Sequence, residues 1–133
     1  MYNQKILDVF RNIQNVGIVQ SANAVGQYIN PETADNFKLY LKLEDKKVVS
    51  SSFKAFTGIV GVALMSTLTE MVVGLNIEDL PNFDTKTLEE KVGKLDAEDK
   101  YLLDDLSKTL SATLEDYQKR LEKDQKNEKK SKK

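Results

Sequence analysis

Residues 36–73 read NFKLYLKLEDKKVVSSSFKAFTGIVGVALMSTLTEMVV, and the period of their hydrophobic residues changes part-way along. Every second residue from Phe37 to Leu43 is apolar, which is the pattern of a β-strand buried on one face. A polar turn separates this strand from residues 48–56, which are rich in β-branched and aromatic residues. Two strands joined so tightly predict an antiparallel hairpin. Residues 58–73 are apolar on nearly every face, which predicts a buried helix.

The flanking segments complete the pattern on both sides of this hairpin and helix. Apolar residues at helical spacing predict a helix over residues 2–13, and residues 18–30 are expected to contain a first strand. A short helix is predicted to begin at Asp84 or Thr85. Asp96 is the expected N-cap of a last helix whose leucine stripe continues from Leu103 to Leu121. The predicted order is α-β-β-β-α-α-α, an α+β fold with a three-stranded antiparallel sheet covered on one face by the C-terminal helices.

The length of 133 residues predicts one domain, which we place at residues 1–121. Residues 122–133 form a lysine-rich segment without apolar anchors and are predicted to be a disordered tail. We favour a solvated tail over one that binds nucleic acid or a membrane, because acidic residues are interspersed among its lysines. The longest apolar stretch is too short to cross a bilayer. No signal peptide is recognised, so the cytoplasm is the expected location.

The chain contains no cysteine and no histidine. This composition excludes disulfide bonds, thiolate nucleophiles, imidazole bases and every metal site built from sulfur or imidazole. Iron–sulfur clusters and zinc normally require those ligands, so only oxygen sites for hard cations remain open. We therefore predict no cofactor, and catalysis by a Ser-His-Asp or Cys-His constellation is impossible.

Five short motifs occur in the order, and near the spacing, of a known family. They are Met1-Tyr2 to Asn12 followed by Asn15-Val16-Gly17, Pro31-Glu32-Thr33-Ala34-Asp35, Phe53-Lys54-Ala55-Phe56-Thr57-Gly58, Thr69-Glu70 with Gly74, and Glu115-Asp116-Tyr117. Together they cover roughly residues 1–118. In these motifs the chain resembles the NifU/IscU family of iron–sulfur cluster assembly scaffolds.

This resemblance implies that five positions correspond to the cluster site of the family, in which three cysteines and a histidine or acidic residue converge. The positions are Thr33, Asp35, Gly58, Tyr101 and Leu102. Only the aspartate, Asp35, is retained. Glycine and leucine side chains offer no ligand, and a threonine hydroxyl is too weak an acid to replace a thiolate. Sulfur transfer also needs an acceptor thiol. The resemblance therefore implies a degenerate, non-catalytic relative that holds no cluster.

Three hypotheses about function follow from the resemblance. The first is a binding partner or regulator in iron–sulfur cluster assembly that docks on a cysteine desulfurase, with Tyr2, Ile6 and Asp35 as candidate partner-facing residues. The second is a homo-oligomeric or small-ligand-binding protein with an apolar pocket near Thr33, Gly58 and Leu102. The third, ranked lowest, is a scaffold that uses cysteines of a partner.

Individual site residues also have ordinary structural interpretations. Asp35 is more simply a loop residue that accepts hydrogen bonds from nearby backbone N–H groups than a metal contact. Tyr101 could stack on a ligand, but a tyrosine on an amphipathic helix is usually half-buried with its hydroxyl in water.

Overall fold

The computed structural model describes residues 3–131, with side chains described for residues 3–126. Its element order confirms the predicted α+β class and the predicted order of helices and strands. Short 3₁₀ turns at Ile77–Asn82 and Ala97–Asp99 connect the C-terminal helices. The elements are α1 (Gln4–Arg11), β1 (Ala24–Ile29), β2 (Asn36–Glu44), β3 (Lys47–Phe56), α2 (Ile59–Met71), α3 (Thr85–Val92) and α4 (Tyr101–Ser131).

The sheet has the order β1-β2-β3 and is antiparallel throughout. The turn between β2 and β3 places Asp45 and Lys46 in the left-handed region, at φ 52° and 65°. Positive φ at both central residues is the geometry of a two-residue hairpin turn that matches the twist of the strands. Phe37, Leu39 and Leu41 point from β2 into the core, as the alternating pattern predicts.

Helix α2 lies inside the molecule, which confirms the prediction from its all-round apolar sequence. Its residues Ala63, Leu64 and Leu68 are fully buried against the sheet and the other helices. Among its buried polar groups, Thr69 accepts a hydrogen bond at its backbone carbonyl from the Ser51 hydroxyl of β3. Gly74, with φ +93°, takes the left-handed conformation expected shortly after the helix.

Helix α4 packs along β1 largely by the predicted stripe, of which Leu106 and Leu110 are buried and Leu103, Leu114 and Tyr117 pack against the core. Leu102, Leu106 and Leu110 are the buried leucines, whereas Leu121 is exposed. Buried Thr113 lies directly over Gly26 of β1, where a Cβ atom would be 2.7 Å from the Thr113 Cα atom. A threonine opposite a glycine lets helix and strand approach closely, so the core-facing side of α4 is rotated toward its threonines.

The first strand, Ala24–Ile29, lies within residues 18–30, as predicted. Residues 18–23 before it are irregular, and the Asn23 side chain pairs with the backbone of Leu43. The Asn23 Oδ1 atom accepts from the Leu43 N–H at 2.8 Å, and its Nδ2 atom donates to the Leu43 carbonyl at 3.0 Å. An asparagine side chain carries the same donor and acceptor as a peptide group, so it satisfies the end of β2 without a strand.

One predicted boundary in the C-terminal half is wrong. Asp96 precedes the 3₁₀ turn and makes no capping hydrogen bond through its side chain, and α4 begins only at Tyr101. Helix α4 continues to Ser131, and the disorder expected of residues 122–133 stays a prediction. Helix hydrogen bonds propagate one residue at a time without apolar anchors, so a helix can extend beyond the core. Within the described chain, no helix combines the length and apolarity needed to cross a bilayer.

Candidate functional site

The loop between β1 and β2 is organised by Asn30. The backbone N–H of Asn30 donates to the Asp35 carbonyl at 2.8 Å, and the Ala34 N–H donates to the Asn30 carbonyl at 2.8 Å. The Asn30 Oδ1 atom also accepts from the Glu32 N–H at 2.9 Å and from the Thr33 N–H at 3.3 Å. Ala34 closes the loop in the left-handed region, at φ 66°. These bonds hold Thr33 and Asp35 in one defined position.

Asn30 also joins this loop to the first turns of α4. Its Nδ2 atom donates to both carboxylate oxygens of Asp105, at 3.1 and 3.2 Å. Asp105 is only 2% exposed. Burial raises the pKa of Asp105, the Asn30 hydrogen bond partly offsets this, and the nearby charge of Asp35 raises it further. The Asn30–Asp105 contact places Tyr101, one helical turn before Asp105, beside the loop.

Three hydroxyl groups converge on the carboxylate of Asp35. The Thr33 hydroxyl and the Tyr101 phenol donate to Oδ2, each at 2.6 Å, and the Thr57 hydroxyl donates to Oδ1 at 2.6 Å. We call Thr33, Asp35, Thr57 and Tyr101 the hydroxyl–carboxylate cluster. The interpretation of Asp35 as an acceptor from backbone N–H groups is therefore wrong, because side-chain hydroxyls from three elements occupy its oxygens. The Tyr101 hydroxyl is likewise bonded to protein.

The electrostatics of the cluster favour an ionised carboxylate and a neutral phenol. Partial burial works to raise the pKa of Asp35, but the hydrogen bonds from Thr33, Thr57 and Tyr101 together outweigh it and hold the pKa below its ordinary value. The hydrogen bond to Asp35, with partial burial and the charge of Asp35, raises the pKa of Tyr101 to about 12. At neutral pH the cluster thus has one negative charge and three hydroxyl donors directed at it.

The structure brings together three of the five residues predicted for the degenerate site, namely Thr33, Asp35 and Tyr101. Gly58 is next to the cluster, at the N-cap of α2, and an added Cβ atom would meet nothing within 4 Å. Leu102 is 3% exposed and belongs to the hydrophobic core. It is next to Tyr101 in the chain, but adjacent helical residues point in different directions, about 100° apart.

The candidate partner-facing residues are only partly accessible. Ile6 is 3% exposed and packs in the core, so its assignment to a partner-facing surface is wrong in this structure. As the inward residue of α1, it is covered by α2 and α3. Asp35 is half-buried and its oxygens are already bonded. Tyr2 lies outside the described residues.

Sequence reasoning missed Thr57, Asn30 and Asp105. Thr57 directly precedes Gly58, and Asn30 directly precedes Pro31, so both are adjacent to positions that the motifs single out. Their role depends on bonds to residues 22 and 75 positions away in the chain. No local pattern reports such distant partners.

An open recess of about 250 Å³ lies beside the cluster. Its walls are Thr33, Ala34, Asp35, Ala55, Phe56 and Thr57. The apolar pocket expected around Thr33, Gly58 and Leu102 is thus not formed, because Leu102 faces the core and a carboxylate with threonines lines the opening. Phe56, 81% exposed, is the large apolar side chain at this edge.

The whole chain, rather than the site alone, decides the family. Residues 1–124 match the sequence profile described as NifU-like N terminal domain. The chain belongs to the NifU N-terminal domain family. The predicted resemblance is confirmed, and the family is one of iron–sulfur cluster assembly scaffolds.

Relatives in the NifU family are similar over most of the chain. The iron–sulfur cluster assembly scaffold protein IscU of Aquifex aeolicus is 35% identical over 118 residues, which are 87% of this chain and 75% of that protein. IscU 1 of Archaeoglobus fulgidus is 33% identical over 95 residues, covering 71% of this chain and 62% of its own length. This chain therefore spans less than two thirds of the archaeal protein.

Solved structures of NifU-like proteins share the fold. One, described as an iron–sulfur cluster assembly scaffold protein for the SUF system of Fervidobacterium islandicum AW-1, has a TM-score of 0.68 at 18% identity and covers 85% of this chain and 96% of its own. The NifU-like N-terminal protein of Brucella abortus has a TM-score of 0.62 at 19% identity, covering 88% and 94%. At such identities the likeness shows the fold alone.

The side chains present do not fit an iron–sulfur cluster. The positions that the resemblance assigns to the cluster site offer hydroxyls, one carboxylate, a glycine and a leucine in the core, whereas the cluster requires soft thiolate or imidazole donors. The carboxylate already accepts three hydrogen bonds. Elsewhere in the described chain, Asp96, Glu98 and Asp99 place carboxylate oxygens within 4.8 Å of one another, on the surface before α4.

Proposed function

We propose that this NifU-family protein acts by binding a cysteine desulfurase, as a partner or regulator in iron–sulfur cluster assembly, and holds no cluster itself. The observation that carries the proposal is the hydroxyl–carboxylate cluster, in which the hydroxyls of Thr33 and Tyr101 stand where the resemblance places soft ligands and donate to the retained Asp35. Under this proposal the chain is not an enzyme, since it has no thiol to accept or release sulfur.

The surface around the cluster supports a role in binding. Asn30 fastens the loop to α4, and the three hydroxyls fasten Asp35, so this end of the molecule is ordered by at least five side-chain hydrogen bonds. Phe56 is 81% exposed and Tyr101 is 38% exposed beside it. Aromatic side chains on an ordered surface are typical of protein–protein interfaces, because they bury a large area at little cost in conformational entropy.

Binding can be measured by titrating the full chain into a purified cysteine desulfurase in a calorimeter. The same chain should slow persulfide transfer from the desulfurase to a thiol of a cysteine-bearing scaffold, because both proteins would compete for one docking surface. We expect a dissociation constant in the micromolar range. Absence of binding at several hundred micromolar would end the proposal.

A matched pair of variants tests which end of the molecule docks. Phe56→Ala removes the exposed aromatic ring beside the cluster. Val73→Ala removes an exposed apolar side chain after the opposite end of α2, which is about 20 Å long. We expect Phe56→Ala to weaken desulfurase binding about tenfold, equivalent to ~1.4 kcal/mol, and Val73→Ala to leave it unchanged. Equal effects of the two changes would contradict docking at the cluster end.

The claim that the chain holds no cluster has its own test. Anaerobic incubation of the purified protein with iron and sulfide, followed by desalting, should give a colourless product. A stoichiometric visible absorbance retained by the monomer would overturn it. The same reconstitution with a cysteine-bearing NifU-family protein serves as the positive control.

A further inference from the structure

The sheet has two faces of opposite character. The face that carries Phe37 and Leu39 is buried beneath the helices. The side chains that alternate with them point away from the core, and we call this side the outer sheet face. At the end nearest the β1–β2 loop, Ile29 and Phe56 flank Asn36 in one cross-strand row, and both apolar side chains are exposed.

The next row of the outer sheet face is basic. Gln27 pairs with Lys38, and Lys38 pairs with Lys54 directly across the β2–β3 ladder. Like charges directly opposite each other destabilise a sheet. Five other basic residues supply the ion pairs found among the described side chains, and neither lysine of this row takes part. The Lys38 Nζ atom lies over the Tyr40 ring, 5.4 Å from its centroid.

From this arrangement we propose that the outer sheet face docks an acidic segment of a protein partner, with an apolar residue followed two positions later by a carboxylate. Successive outward rows on a strand are about 7 Å apart, the same spacing as alternate side chains of an extended segment. An apolar side chain of the partner therefore lies over Ile29 and Phe56, and its carboxylate lies between Lys38 and Lys54. A recess of about 320 Å³ opens between these two rows.

The charge of the outer sheet face and the burial of its aromatic residues favour an acidic segment over a second copy of the chain or a single-stranded nucleic acid. A second copy of the chain stacked face to face would oppose the lysine pairs of both copies, which costs energy. Single-stranded nucleic acid is bound by several exposed rings on which bases stack. Of the aromatic residues on this face, Tyr40 is buried and only Phe56 is open. The inference shares Phe56 with the proposed desulfurase docking, but the lysine row, which carries it, is no part of the hydroxyl–carboxylate cluster, so the lysine variants test it separately.

The test uses the full chain, labelled with ¹⁵N, and two hexapeptides that differ only in charge. Ser-Leu-Ser-Glu-Ser-Glu presents the proposed pattern, and Ser-Leu-Ser-Gln-Ser-Gln is its neutral counterpart. We expect the glutamate peptide to shift the backbone amides of Ile29, Lys38, Lys54 and Phe56 at low salt. We expect it to bind at least about fivefold more tightly than the glutamine peptide, since charge pairing distinguishes the two.

Paired lysine variants locate the effect. Lys38→Gln with Lys54→Gln should abolish the preference for the glutamate peptide. Lys86→Gln with Lys91→Gln removes two exposed lysines of α3 and should preserve it. Equal binding of both peptides, or no shifts at millimolar peptide, would refute the proposal. So would tighter binding of a single-stranded oligonucleotide, or the same shifts produced by raising the protein concentration alone, which would indicate a second copy.

Discussion

Replacing Tyr101 by phenylalanine removes one hydroxyl from the Asp35 carboxylate and keeps the aromatic ring. The phenol donates to the Asp35 Oδ2 atom at 2.6 Å, which is short for a hydrogen bond and typical of a charged acceptor. Asp35 keeps its hydrogen bonds from Thr33 and Thr57 in the variant. The substitution therefore isolates the contribution of the Tyr101–Asp35 bond, which links the β1–β2 loop to α4 alongside the Asn30–Asp105 bonds.

The size of the effect can be worked from the pKa of Tyr101. The structure raises it from 10.0 to about 12. Two pKa units correspond to ~2.7 kcal/mol for a group shielded from water. Tyr101 is 38% exposed, so solvent screening reduces this contribution, and we expect Tyr101→Phe to lower the free energy of unfolding by about 1 kcal/mol at neutral pH.

The sign of the pH dependence follows from the direction of the two shifts. The folded state raises the pKa of Tyr101, so the stabilisation is complete below pH 10 and is lost as the pH rises toward 12. The folded state lowers the pKa of Asp35, so the stabilisation is also lost as the pH falls below the ordinary value of 3.8. The difference in stability between wild type and Tyr101→Phe should therefore be largest between these limits.

Urea unfolding of wild type, Tyr101→Phe, Asp35→Asn and the double variant gives the coupling energy of the pair. We expect about 1 kcal/mol. Tyr117→Phe, on the same helix, is the control for loss of a hydroxyl. Absorbance of tyrosinate at alkaline pH should show one tyrosine that ionises near pH 12 in wild type and is missing in Tyr101→Phe. A coupling energy near zero together with no such late-ionising tyrosine would refute the arrangement around Asp35.

Three further changes test the fold that supports the site. Gly26→Ala should lower the free energy of unfolding in urea by about 3 kcal/mol, because the new methyl group overlaps the backbone of Thr113. Gly58→Ala is the control: the space around Gly58 is open, so this change should cost less than about 1 kcal/mol. Ser52→Ala should raise the thermal midpoint, because Ser52 has the buried hydroxyl that lacks a hydrogen-bond partner in the described chain; a lower midpoint would mean that the hydroxyl is bonded. Asp105→Asn should raise the urea midpoint above that of wild type at neutral pH, because the folded state raises the pKa of the buried Asp105 carboxyl and its ionised form is therefore destabilising. The increase should disappear below the ordinary pKa of 3.8, where the carboxyl is protonated in both states, and an increase that is constant with pH would contradict this reasoning.

The hairpin and the buried helix were predictable because their signals are local. Alternation from Phe37 to Leu43 needs only neighbouring residues, and the all-apolar run of α2 needs only its own sequence. The core face of α4 was predictable only in part. The stripe located buried Leu106 and Leu110, but it did not indicate that Leu102 is buried or that Thr113 packs directly over Gly26.

The candidate site likewise has residues that the sequence located and residues whose environment it did not predict. The family resemblance located Thr33, Asp35 and Tyr101, the first two within a motif, and the structure places them in contact. Position in a motif did not reveal that Leu102 lies in the core or that Ile6 points inward. Whether a side chain on a helix is exposed depends on which other elements cover that helix, and this is a property of the packed molecule.

From the sequence by itself it follows that no thiolate or imidazole can bind iron here, since composition does not change when the chain folds. Which side chains come together at the positions corresponding to the cluster site was decided only by the tertiary structure. Asp35 receives hydroxyls from residues 22 and 66 positions away, and that contact exists only because the end of β3 and the start of α4 meet beside one loop. The residue types in a sequence determine which chemical groups are available. A binding site depends on which of those groups folding brings together from distant parts of the chain.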